Sequence, residues 1–168
     1  MSTPESRPEI DDDIIELAGL VFDAARAGDT EGIRTYLDAG VPVNLTNGSG
    51  DTLVMLASYH GHEGLTALLV ERGADVNTQN DRGQTPLAGA VFKGYTAIFR
   101  ILVEGGADPD AGSPSARETA GFFQRQEMLD LLMEYIRNEP AAAQYRDLDW
   151  SKEYDLARNG DPNDTQSA

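Results

Sequence analysis

Gly28, Gly61 and Gly94 stand 33 residues apart, and each is followed 12 residues later by a second glycine, Gly40, Gly73 and Gly106. A period of this length constrains the fold more than any other feature of the chain. One period is a single supersecondary unit, too small to bury its own apolar face, so units must stack on one another. Between the paired glycines lie Ile33, Tyr36 and Leu37, then Leu65, Leu68 and Leu69, then Ile98, Ile101 and Leu102, all at the spacing of one helical turn. After each second glycine comes Val41-Pro42-Val43-Asn44, Ala74-Asp75-Val76-Asn77 or Ala107-Asp108-Pro109-Asp110. The pattern predicts helix pairs joined by repeated turns.

Helix boundaries follow from local chemistry. Thr85 before Pro86 places a capping hydroxyl ahead of a proline in the first turn, where the missing N–H costs nothing. Thr52 suits the same role one unit earlier, and Ser115 with Glu118 makes a capping box one unit later. Gly73 and Gly106 fit left-handed helix ends. Leu65–Val70 and Ile98–Val103 are apolar nearly all round, as helices covered on both sides would be. The end units differ. Asp11, Asp12 and Asp13 precede Ile14, Leu17, Ala18, Val21, Phe22 and Ala25 at helical spacing, which predicts a long first helix whose acidic start suits the helix dipole. In the last unit Gln124 replaces the first glycine, and Arg117, Glu118, Arg125, Glu127 and Asp130 are available for a solvated outer face.

Gly83-Gln84-Thr85-Pro86-Leu87, Gly61-His62 and Gly73-Ala74-Asp75-Val76-Asn77 carry the signature of a known family: over roughly residues 17–136 the chain resembles ankyrin-repeat proteins. The resemblance implies an all-α solenoid of about four stacked units, each two antiparallel helices and a projecting turn. It departs from the family where the histidine after Thr-Pro-Leu is replaced by Met55 and Ala88, which removes that residue's hydrogen bonds to the turns. The expected organisation is an acidic flexible tail over 1–12 and a repeat domain over 13–137, in units of about 13–46, 47–79, 80–111 and 112–137. An extension over 138–160 and a disordered tail over 161–168 follow. In the extension Ser151 is expected to cap a short helix ended by Gly160. Leu148, Trp150, Tyr154 and Leu156 are expected to fold back onto the solenoid near Met128, Leu132 and Ile136, the alternative being that the segment engages a partner.

Composition narrows the function. With no cysteine there is no disulfide framework, thiol nucleophile or zinc ribbon. Net charge is −16, of which the segments 1–16 and 147–168 carry −5 and −4, a field that repels phosphate backbones and anionic membranes. The N-terminal stretch has neither a basic cluster nor an apolar run, so a cytoplasmic protein is expected. His60 and His62 are the only histidines, and His62 occupies the ordinary Gly-His turn position, so no metal site is expected. Gly48-Ser49-Gly50 lacks the lysine and third glycine of a phosphate loop and reads as a repeat turn. Of the serines only Ser58 is near a histidine, at a helix packing position. No catalytic residue and no cofactor are expected.

Equivalent positions compared across units are more informative. Two residues before each first glycine, or the Gln124 that replaces it, stand Arg26, Tyr59, Phe92 and Phe122; one before stand Ala27, His60, Lys93 and Phe123. By the resemblance these lie at the concave end of each first helix. Tyr59, Phe92 and Phe122 are then expected to form an aromatic stripe flanked by His60 and Lys93, with Asp51, Arg82 and Gln84 of the projecting turns along its border. Aromatics set among polar groups suit an interface core; the alternative is that Phe122 or Phe123 packs between units. The expectation is a monomeric, non-catalytic module that binds a protein partner. A second reading is an acidic inhibitor of a basic enzyme, and a third an enzyme or small-molecule binder.

Overall fold

The computed structural model describes residues 11–159. Two rows of helices run through it. The inner row comprises α1 (Asp12–Ala27), α3 (Leu53–Tyr59), α5 (Pro86–Lys93), α7 (Ala116–Phe122) and α9 (Ser151–Asn159). The outer row comprises α2 (Thr30–Asp38), α4 (Glu63–Glu71), α6 (Thr96–Glu104) and α8 (Gln126–Asn138), and a 3-10 segment over Pro140–Tyr145 leads to α9. Each inner helix packs against its outer partner and against the next inner helix. Among the described residues there is no strand, only the isolated bridges Thr46–Thr52 and Gly112–Ser115.

The capping expectations are met at atomic detail. The Thr52 and Thr85 hydroxyls each accept the backbone N–H three residues on, at 3.2 Å. Ser115 accepts from the Glu118 N–H at 3.2 Å while the Glu118 carboxylate accepts from the Ser115 N–H at 2.9 Å, a complete capping box. Gly73 and Gly106 are left-handed, with φ of 84° and 92°. Ile33, Leu53, Leu65, Leu69, Leu87, Ile98, Phe99, Leu102, Leu129 and Leu132 are fully buried and form one continuous core.

Two side-chain ladders tie successive units together. Asn44 Oδ1 accepts the Asp75 N–H at 2.8 Å, and Asn77 Oδ1 accepts the Asp108 N–H at 2.7 Å. The residue after the first glycine then reaches back to the preceding unit. His62 Nε2 lies 2.6 Å from the Arg26 carbonyl, and Arg125 donates to the Phe92 carbonyl at 2.8 Å. A Cβ on Gly28 would sit 2.4 Å from the His62 ring, so this close approach requires glycine.

The long first helix is present as expected, α1 having 16 residues, and its early apolar residues Ile14 and Leu17 stay 59% and 42% exposed because α3, its inner neighbour, has only 7 residues and the first turns of α1 run past it. Two expectations need correction. Arg117 does not belong to a solvated face: its Nε meets Asp110 at 2.7 Å and its Nη1 meets Glu153 at 3.0 Å beneath α9. Ser151 is the first residue of α9 and caps nothing; its N–H donates to Asp149 at 3.0 Å. Trp150 is buried, as expected for a docked extension; α9 lies principally against α7 but also meets α8, where the Tyr154 hydroxyl donates to Asp130 at 3.2 Å, and the 3-10 segment covers α8 as well. The end assigned to Gly160 and the tail calls for residues 1–10 and 161–168 lie outside the described residues.

Candidate functional site

The projecting turns owe their shape to asparagine. Asn47 Oδ1 accepts the N–H groups of Ser49 and Asp51, both at 2.9 Å, and Asn80 Oδ1 accepts those of Arg82 and Gln84, both at 3.0 Å. Asn80 Nδ2 also donates to Asp51 at 2.8 Å and to Gln84 at 3.0 Å, joining one turn to the next. Backbone bonds run along the same edge, from Asp81 N–H to the Ser49 carbonyl at 3.0 Å and from Ser113 N–H to the Gly83 carbonyl at 2.9 Å. These contacts tie down the turns that the missing histidines at Met55 and Ala88 leave without their usual partner. They also commit Asp51 and Gln84, two expected site residues, to holding the wall in place.

Facing these turns across a cleft of about 590 Å³ are the ends of the inner helices. Tyr59, Phe92 and Phe123 line it above a floor that includes Met55, Leu56, Ala88 and Gly89. Burial forces few of these rings to be aromatic: Tyr59 is 41%, Phe92 37%, Phe122 62% and Phe123 45% exposed. Phe122 is the most exposed of the four, whereas Phe123 packs across two units against Phe92 while staying partly open to solvent. The stripe is also not built quite as expected, since Phe92 meets Phe123 edge-on at 4.8 Å and Phe123 in turn meets Phe122 at 5.2 Å. Phe123 is therefore the link that comparison of single positions missed; the signal was present in its adjacency to Phe122. Tyr59 stands in a separate group, with the Lys93 ammonium 4.7 Å from its ring centre and the His60 ring edge-on at 5.7 Å.

His60 has its pKa lowered, first by partial burial and then by the nearby positive charges of His62, Arg26 and Lys93. His60 and His62 are 6.4 Å apart and stacked, with His62 engaged on the Arg26 carbonyl. Among the described residues no group of three or more His, Cys, Asp or Glu side chains could hold a metal ion, and no helix is long and apolar enough to cross a membrane. A second cavity of about 400 Å³ continues the cleft toward the C-terminal end, bordered by Glu118 and Phe122 on α7, by Phe123 just after it, and by Lys152 and Leu156 on α9. The two cavities share Pro114, Thr119 and Phe123. The contribution of α9 to this surface was not legible in the sequence, because α9 lies outside the period.

Comparison with known proteins places the chain. The family model for ankyrin repeats, in three copies, matches residues 21–113. A putative ankyrin repeat protein of Pseudomonas aeruginosa is 47% identical over 60 residues, 36% of this chain and 35% of that protein, so the chain spans about a third of the length of this curated relative. The crystal structure of the human ASB11 ankyrin repeat domain superposes with a TM-score of 0.62 at 28% identity, covering 71% of this chain and 54% of that one. The period, the capped helix pairs and the projecting turns are those of this architecture, and the chain belongs to the ankyrin-repeat family.

Proposed function

We propose that the chain is a non-catalytic recognition module that binds a protein partner in the cleft between its projecting turns and its inner helices. Ankyrin repeats are generally protein–protein interaction modules. The observation that carries the reading here is the set of exposed rings Tyr59, Phe92 and Phe123 lining one cleft, with Phe122 bordering the cavity that continues it. Large rings left partly in water contribute little to folding but supply the buried anchors of an interface once a partner covers them. Tyr59, His60, Phe92, Lys93 and Phe122 are the contact residues in this reading, Arg82 extends from the turn, and Asp51 and Gln84 hold the wall. The module acts as a cytoplasmic monomer without nucleic acid or membrane contact, which its strongly acidic charge supports. Fold alone does not fix a partner.

Capture from a native cytoplasmic extract, comparing the intact chain with a Tyr59→Ala/Phe92→Ala variant, tests this reading. A specifically retained protein should be lost with the variant, at a cost of roughly 1–4 kcal/mol in affinity, while the melt stays nearly unchanged. Large losses of stability with unaltered affinity per folded molecule would instead make these rings structural. The net charge of −16 favours a second reading, an acidic inhibitor of a basic enzyme. There the association rate should fall steeply with salt and be insensitive to the two aromatic substitutions.

A further inference from the structure

The basic side chains of this acidic molecule are not evenly used. Arg26, Arg34, Arg72 and Arg117 are paired with carboxylates, and Arg125 and Arg146 are bonded to backbone carbonyls. Among the described residues, Arg82, Lys93, Arg100, Arg137, Lys152 and Arg158 are in no ion pair with a carboxylate, and three of them, Arg82, Lys93 and Lys152, border the concave surface. Arg82 lines the first cavity, Lys93 lies over the Tyr59 ring of its wall, and Lys152 lines the second. The acids on the same surface are engaged. Asp51 accepts from Asn47 at 3.2 Å and from Asn80 at 2.8 Å, Glu118 closes its capping box, and Glu153 is buried against Arg117. A molecule of net charge −16 therefore presents three uncommitted cations around a run of exposed rings. His60 beside them has its pKa lowered, first by partial burial and then by the charges of His62, Arg26 and Lys93.

We propose that the partner segment is acidic and apolar: a peptide stretch carrying Asp or Glu beside aromatic or large aliphatic side chains. Its apolar groups lie on Tyr59, Phe92, Phe123 and the Leu156 edge, and its carboxylates meet Lys93, Arg82 and Lys152. This rests on the concave-face reading above and adds the chemistry of the occupant. Opposite charges set around an apolar centre give register and select against wrong partners, whereas a basic segment would meet unpaired cations at all three points. The molecule as a whole predicts the reverse. Its overall charge attracts basic peptides, so bulk and groove electrostatics make opposite forecasts for one experiment.

A short random-peptide phage library selected against the full chain decides between them. Enriched peptides should be net acidic with at least one aromatic or large aliphatic residue, and synthetic versions should lose binding with Tyr59→Ala. Lys93→Glu combined with Arg82→Glu should weaken them by roughly tenfold or more, and changing the peptide acids to lysine should restore binding to that variant. Enrichment of net-basic or uncharged peptides that still depend on Tyr59 overturns the acidic assignment and leaves the concave-face reading intact. Enriched peptides indifferent to both Tyr59→Ala and Phe92→Ala overturn the concave-face reading itself. A selection yielding no acidic–apolar sequence above background also overturns the proposal.

Discussion

The two ends of the stack solve the same problem differently. A repeat array always has two outer faces without a neighbour, and each must be covered or made polar. At the C-terminal end the chain supplies a substitute neighbour: α9 takes the place against α7 that α7 takes against α5, and Trp150 and Ala157 are buried there. At the N-terminal end α1 is simply lengthened, and Ile14, Ile15, Leu17 and Leu20 stay 42–59% exposed. Burial, and not helix content, separates a structural end from an ornamental one. The C-terminal joint also has a polar centre. Asp110, at the position where Asn44 and Asn77 form the inter-unit ladder, instead holds Arg117, which pairs with buried Glu153 and stacks 5.2 Å from the Trp150 ring centre. Burial works against the Arg117 charge, but Asp110 and then Glu153 more than offset it and raise its pKa.

That joint nonetheless carries a polar cost. Of the four buried side-chain polar atoms without a partner among the described residues, Thr119 Oγ1, Trp150 Nε1 and Glu153 Oε2 all lie in it. Each such atom costs about 1–3 kcal/mol. The seam between α7 and α9 should therefore open before the internal units do.

The comparison can be broken most severely by removing residues 145–168. This takes away Trp150 and the Glu153 pairing together, so the loss should exceed the roughly 3–5 kcal/mol typical of truncating a buried tryptophan. Denaturant melts check it, and an unchanged midpoint would mean that the extension covers nothing. Next, Arg117→Met leaves Glu153 buried without its cation. A loss of about 2–4 kcal/mol is expected, below the range for fully buried pairs because Arg117 keeps some exposure. The sign is opposite at Gln124, which holds the left-handed conformation at φ 55° where the other units use glycine. Gln124→Gly should relieve that strain, partly offset by glycine's larger unfolded-state entropy, for a gain of up to ~1 kcal/mol in thermal melts. Smallest of all, Leu17→Ser with Leu20→Ser should stay within ~0.5 kcal/mol of the parent, since neither side chain is buried. A loss comparable to the C-terminal truncation would show that the two ends are equivalent after all.

The sequence showed some levels of this structure and hid others. The repeat period, the Thr52, Thr85 and Ser115 caps and the left-handed glycines were legible because each depends on residues within one unit. The Asn47 and Asn80 networks were not, because an asparagine in a polar turn has no periodic signal and its meaning lies in which N–H groups the fold brings to it. Arg117 was misread for the same reason. A charged residue at helical spacing looks solvated until a segment more than thirty residues away closes over it. At the groove, periodic comparison found Tyr59, His60, Phe92 and Lys93, missed the linking role of Phe123, and could not place Lys152 and Leu156.

Trp150 is the only tryptophan of the chain, which makes its fluorescence a single-site report on the C-terminal joint. A buried indole predicts blue-shifted emission and slow acrylamide quenching in the intact protein. Gly121→Ala supplies the control, since a Cβ there would lie 2.9 Å from the Glu153 Cα and must push α9 away from α7. The variant should shift Trp150 emission to the red while retaining the helical signal of the repeats. Emission of a water-exposed indole in the intact protein, unchanged by Gly121→Ala, would contradict the claim that α9 completes the stack.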